Sequence, residues 1–254
     1  MRVLTAYSWI LVLFASLGGT AAAIDGETLI SQSMVIRGGI TPEDKPGFPV
    51  TIARPGAYKL ASDLSVPADK VGISVTGVHI ELNLNGWGIY GNGIAKHAIR
   101  SDKAFVKLIQ GRIAGFKHVA FFSDGALEQV HFSDNKFSNA VGDVNISNSI
   151  IAGTNVECRG SCEIRNSIFY NSSLIYLRLS SYPFRSADIF DSVFNGWIQQ
   201  GRPDSQIWEY FDGPPPPPSV FYGRNAMLKG SGRAASQKQL GSNVCDPQCQ
   251  DGPQ

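Results

Sequence analysis

Charge is scarce in this sequence. Only 17% of its 254 residues are Asp, Glu, Lys or Arg, below the usual share of about 25%, and 22 basic against 21 acidic side chains leave a formal charge of +1. A balance so close to neutral gives no electrostatic footprint for non-specific binding of nucleic acid or anionic lipid. Histidine is sparse too: His79, His97, His118 and His131 are the only four, and none stands at a metal-ligand spacing from another. No phosphate loop, dinucleotide fingerprint or nucleophile elbow occurs. Beyond the N-terminus no segment approaches the roughly 20 apolar residues of a membrane span. Glycine and proline, by contrast, are plentiful, with 27 and 14 copies, which favours a chain of many turns over a helical bundle.

The N-terminus carries one charge at Arg2, an apolar run from Trp9 to Leu17, and the small residues Ala21-Ala22-Ala23. This order is that of a secretory signal peptide over residues 1–23. It places the mature chain in the periplasm or outside the cell, with no membrane span left after cleavage. In an oxidising compartment the four cysteines, Cys158 with Cys162 and Cys245 with Cys249, are expected to close two local disulfide loops, although three connectivities are formally open. A zinc site is disfavoured, because the two pairs lie far apart and neither has a neighbouring histidine.

An eight-residue phrase recurs through the middle of the chain. It reads LNGWGIYG from Leu84, LIQGRIAG from Leu108, FSDNKFSN from Phe132, ISNSIIAG from Ile146, IRNSIFYN from Ile164 and IFDSVFNG from Ile189. The sixth position is always Ile or Phe (Ile89, Ile113, Phe137, Ile151, Phe169, Phe194), and the eighth always Gly or Asn. Two residues before each start stands an apolar or small residue, so each copy opens with a strand of period two. Intervals of 14 to 25 residues between starts suit one turn of a solenoid, in which like residues stack at roughly 4.8 Å into buried ladders. Gly and Asn supply the backbone freedom at the corners.

These phrases resemble the right-handed parallel β-helix repeats of the pectate-lyase-like superfamily, over roughly residues 47–200. The expected fold is therefore all-β, a right-handed parallel β-helix, with residues 24–46 as an N-terminal cap. Residues 201–254 hold a proline-rich excursion at Pro214 to Pro218, one possible further turn at Val220-Phe221-Tyr222, and a loose tail tied by the second cysteine pair. The resemblance implies an exported protein that binds polysaccharide, with lyase, hydrolase, epimerase, esterase and non-enzymatic surface proteins all sharing the architecture. None of the superfamily's recognisable catalytic signatures is intact here.

If the repeat fixes the inward positions, the alternate ones face out. The residues just before each start are Asn83, Lys107, His131, Asn145, Glu163 and Asp188, all polar. Glu163 and Asp188 would stand about 5 Å apart on adjacent turns, a separation suited to a retaining glycosidase or to holding Ca²⁺ for a uronate lyase. Arg165, two residues along the strand from Glu163, would bind a substrate carboxylate, or else simply neutralise the acids. Lys107, His131 and Asn145 complete the expected substrate face. The third phrase position, Asp134, Asn148, Asn166 and Asp191, reads instead as a polar ladder at a bend. The aromatics Trp87, Tyr90, Phe116, Tyr170, Tyr176 and Trp197 are candidates either for stacking on sugar rings or for finishing a corner of the core. The competing reading is a non-catalytic envelope or surface scaffold.

Overall fold

Apolar residues alternate with polar ones in short runs between turn residues, and in the computed structural model each such run forms a strand that pairs in parallel with the equivalent run of the next turn. The result is a parallel β-solenoid of about six turns. The structure describes residues 26–153, most of 155–200 and short strand segments between 220 and 251. The expected export signal and the polyproline run lie outside the described residues.

Three parallel sheets wall the solenoid. The first contains Gly56–Leu60, Ile80–Asn83, residues 106–109, 125–128, 144–147 and 162–165, and Ala187–Phe190. The second stacks Leu64–Ser65, residues 88–90, 112–114 and 131–133, Ile150–Ala152, Ile168–Tyr170 and Val193–Asn195. The third runs from Val50–Ile52 through Val71–Val75 and residues 97–101, 121–122, 140–141 and 155–158 to Leu174–Tyr176 and Trp197–Gln200. Past residue 200 the parallel pairing continues: Val220–Gly223 pairs with Ala187–Phe190, and further short strands follow as far as Gln250–Asp251.

The core consists of ladders down these sheets. Leu82, Leu108, Leu127, Ile146, Ile164 and Ile189 form one, and Ile89, Ile113, Phe132, Ile151 and Phe169 another, all buried. Each contributes the transfer free energy of a whole apolar side chain, about 1.5–3 kcal/mol. Gly125 shows how tightly the stack closes. It follows Val106 and precedes Val144 in its ladder, and a Cβ there would meet the Val106 carbonyl at 2.1 Å and the end of the Phe121 ring at 3.0 Å.

Register corrects the repeat in its third copy. Phe132, not Phe137, stands between Ile113 and Ile151, and Phe137 is 61% exposed. The true third copy begins at Leu127, so that Leu108, Leu127, Ile146 and Ile164 follow one another at 19, 19 and 18 residues. Ser133, expected to face out, is buried, and its Oγ accepts a 2.9 Å hydrogen bond from Arg112. The first copy is also shifted, since Leu82 rather than Leu84 pairs with Leu108.

Two left-handed corners per turn explain the turn residues. Gln110, Gln129, Asn148, Asn166 and Asp191 all have φ between 47° and 56° at the third phrase position. Gly115, Asp134, Gly153 and Asn171 share positive φ at the eighth. Asp134 thus belongs to the second corner and not to the ladder of Asn148, Asn166 and Asp191. Beside the first corner runs a buried serine ladder. Val130 N–H donates to Ser149 Oγ at 3.1 Å, Ser149 N–H to Ser167 Oγ and Ser167 N–H to Ser192 Oγ, each at 3.2 Å. Each hydroxyl in turn donates to the carbonyl two residues before it, at 2.8 Å. Small side chains that both accept and donate satisfy the backbone where the strand bends away from its neighbours.

At the N-terminal end, the short helix Gln32–Arg37 starts at Ser31, whose side chain accepts from Met34 N–H, and stops at Gly38 with φ 72°. Only glycine fits there, because a Cβ would lie 2.5 Å from Pro46 N. The helix contributes Val35 to the core. Asp44 fastens the following segment by accepting from Thr51 N–H at 2.7 Å and Ile40 N–H at 3.2 Å.

Cys158 and Cys162 form a disulfide across 6.0 Å between Cα atoms. Both are buried, Cys158 on the third sheet opposite Gly142 and Cys162 on the first opposite Val144, so the bond staples two walls at one corner. The second cysteine pair falls outside the described residues, because Cys249 does.

Candidate functional site

The outward side of the first sheet is the surface on which the sequence places its chemistry. Strand alternation projects two columns from it. One column reads Ala57, Glu81, Lys107, Ala126, Asn145, Glu163 and Asp188, and the other Lys59, Asn83, Ile109, Glu128, Ser147, Arg165 and Phe190. Asn145, Glu163 and Asp188 are therefore successive members of one column, and Lys107 stands two turns before Asn145.

His131 is not among them. Ala126 fills its expected place, and His131 lies on the second sheet between Arg112 and Ile150. The reason is the five-residue shift of the third copy. Burial first, and then the adjacent Arg112 guanidinium, hold the His131 imidazole below its ordinary pKa, with Asp134 opposing. Asn83 is displaced as well: Glu81 pairs with Lys107, and Asn83 with Ile109.

The charged groups of the first face satisfy one another. Lys107 Nζ lies 3.3 Å from Glu81 and 3.9 Å from Glu128. Arg165 Nε donates to Glu163 Oε1, and its guanidinium carbon sits 4.9 Å from the centroid of the Phe190 ring. Both Glu163 and Arg165 remain about half exposed. The Asp188 side chain lies outside the described residues, while its backbone pairs with that of Glu163. Among the described residues no three His, Cys, Asp or Glu side chains converge as a metal site.

This arrangement presents a flat, planar donor. The planar guanidinium of Arg165 meets a carboxylate at Nε and an aromatic ring at its face, which leaves its other N–H groups to meet a carboxylate or a pair of hydroxyls. Asn145 and Ser147 lie on the preceding turn, roughly 4.8 Å away. Glu163 is about half exposed and accepts from Arg165 Nε.

The sequence reading missed two exposed isoleucines, Ile150 and Ile168, beside the expected Tyr170. Ile150, Ile168 and Tyr170 are 40%, 46% and 55% exposed on the second sheet, at the phrase positions flanking the buried sixth. Trp87 is exposed at a corner, whereas Phe116 is buried and belongs to the core. No protein-family model, curated protein or solved structure matches the chain.

Proposed function

We propose that this is an exported β-solenoid that binds an extended polysaccharide along the outward face of its first sheet, in the manner of the non-enzymatic members of the pectate-lyase-like superfamily. One observation carries the reading. Arg165 is fixed in plane by Glu163 on one side and by Phe190 beneath it, with polar side chains repeating at the turn spacing beside it. A linear polymer laid across the turns meets such groups at regular intervals. Ca²⁺ has a place in this reading only as a bridge between the Glu163–Asp188 column and an acidic sugar.

The second reading, a rigid surface scaffold, draws on the same ion pairs. Lys107 stands between Glu81 and Glu128 and offsets their mutual repulsion, as stacked charges on a solenoid face require.

The test is a screen of the mature chain against polyuronates and neutral glycans, with and without Ca²⁺, recording binding and the ultraviolet absorbance of new unsaturated ends. Binding that weakens in Arg165→Ala, without new ends, supports the proposal. Growth of unsaturated ends would make it a lyase, and silence throughout would leave the scaffold reading.

A further inference from the structure

A different surface concentrates the positive charge that the composition as a whole lacks. The corner leading from the second sheet to the third is formed on successive turns by residues 67–71, 93–97, 115–119 and 134–138. Each segment carries one lysine: Lys70, Lys96, Lys117 and Lys136. Backbone hydrogen bonds stack them, Lys96 N–H to Lys70 O at 2.8 Å, Lys117 N–H to Ala95 O at 3.0 Å, His118 N–H to Lys96 O at 3.2 Å and Lys136 N–H to Phe116 O at 2.7 Å. Four turns at the strand spacing place these charges along a line of about 14 Å. Lys136 reaches back over Gly93, where a Cβ would stand 3.8 Å from its Nζ.

Further basic groups border the line. His118 is exposed, and its ring lies 5.8 Å from that of His97, whose Nδ1 donates to Val119 O at 2.6 Å. Arg100 projects from the same strand as His97, 5.8 Å from the Phe122 ring. The acids in the corner segments are already engaged: Asp69 is ion-paired with Lys117, and Asp134 lies 4.0 Å from Arg112. The Asp69 carboxyl is held below its ordinary range by Lys117 first and then by Lys96 and His118. Among the described residues no carboxylate lies within ion-pair distance of Lys70, Lys96 or Lys136.

We infer that this corner is an anion-binding track for an acidic, carboxylate-bearing polysaccharide running parallel to the solenoid axis. The inference rests on the polysaccharide-binding reading and adds a second surface to it. A narrow ladder of single ammonium groups fits one linear chain bearing spaced charges. A near-neutral protein whose closely spaced lysines form a single narrow ladder does not present, among the described residues, the broad basic face that nucleic acid requires.

The experiment is calorimetric titration of the mature chain with polygalacturonate, an uncharged galactan and single-stranded DNA, at low and moderate salt. Lys96→Gln combined with Lys136→Gln is compared with Arg165→Ala, each checked by circular dichroism. The expected result is polygalacturonate binding that weakens with salt, falls at least about tenfold in the double lysine variant and is weakened but not abolished in Arg165→Ala. A double variant of unchanged affinity would overturn the track. If Arg165→Ala alone abolished binding, the track would fail while the first-sheet reading stood. DNA binding as tight as polygalacturonate would overturn the assignment to a glycan, and no binding to any glycan would end both readings.

Discussion

Replacing Phe132 by alanine tests the corrected register in the most demanding way. The Phe132 side chain is fully buried, stacked between Ile113 and Ile151. Its removal loses the transfer free energy of an aromatic ring and leaves a void that the ladders above and below cannot fill, at a cost of about 3–5 kcal/mol. That is a large part of the roughly 5–15 kcal/mol by which a domain is stable. Phe137, only five residues away, is 61% exposed, and its alanine variant should change stability by less than about 1 kcal/mol. Urea denaturation followed by circular dichroism reads both, and the difference should appear in the midpoint at unchanged slope. Equal losses in the two variants, or a larger loss at Phe137, would refute the register and restore the repeat as the bare sequence presents it.

Other expectations follow from the same structure. Ser167→Ala removes the acceptor for Ser149 N–H inside the buried ladder, and should cost about 1–3 kcal/mol, visible as a lower denaturation midpoint that Ser167→Thr partly recovers. Reducing the Cys158–Cys162 bond opens a loop of five residues and should lower stability by about 2 kcal/mol, measured by unfolding with and without reductant. Acid should destabilise the fold through its histidines. His97 and His131 are both held below their ordinary value of 6.5, chiefly by burial, so the unfolded chain takes up protons first. Stability is then full above the unfolded pKa and declines as pH falls through it toward the lower folded values. A pH series of melting temperatures should show this decline shrink in His97→Gln, and an unchanged profile would assign it elsewhere.

Much of the fold was legible because a solenoid repeats its physics. Columns such as Ile113, Ile151 and Phe169 announce themselves when four copies agree, and the Gly and Asn corners mark where strands bend. The third copy misled because its corners carry Gln129 and Asp134 instead of the expected Asn and Gly. Gln gives no turn signal of its own, and the nearby FSDNKFSN matched the phrase better than the true LEQVHFSD. That single slip moved His131 onto the wrong face and sent Phe137 inward. The pairing of Glu163 with Asp188 and the contact between Glu163 and Arg165 followed from register alone, since both are separated by whole turns or by two residues of one strand. The lysine corner was not legible, because its members sit at irregular intervals of 26, 21 and 19 residues, and only the stacking of unequal turns brings them into line.

The most direct test of the functional account is equilibrium binding of the mature wild-type chain to polygalacturonate and to an uncharged galactan, with the reaction products sampled in the same vessel. The account expects saturable, salt-sensitive binding that prefers the polyuronate and leaves its chain length unchanged. Shortened chains would contradict it by establishing catalysis, and failure of both polymers to bind would contradict it by removing the ligand on which it rests.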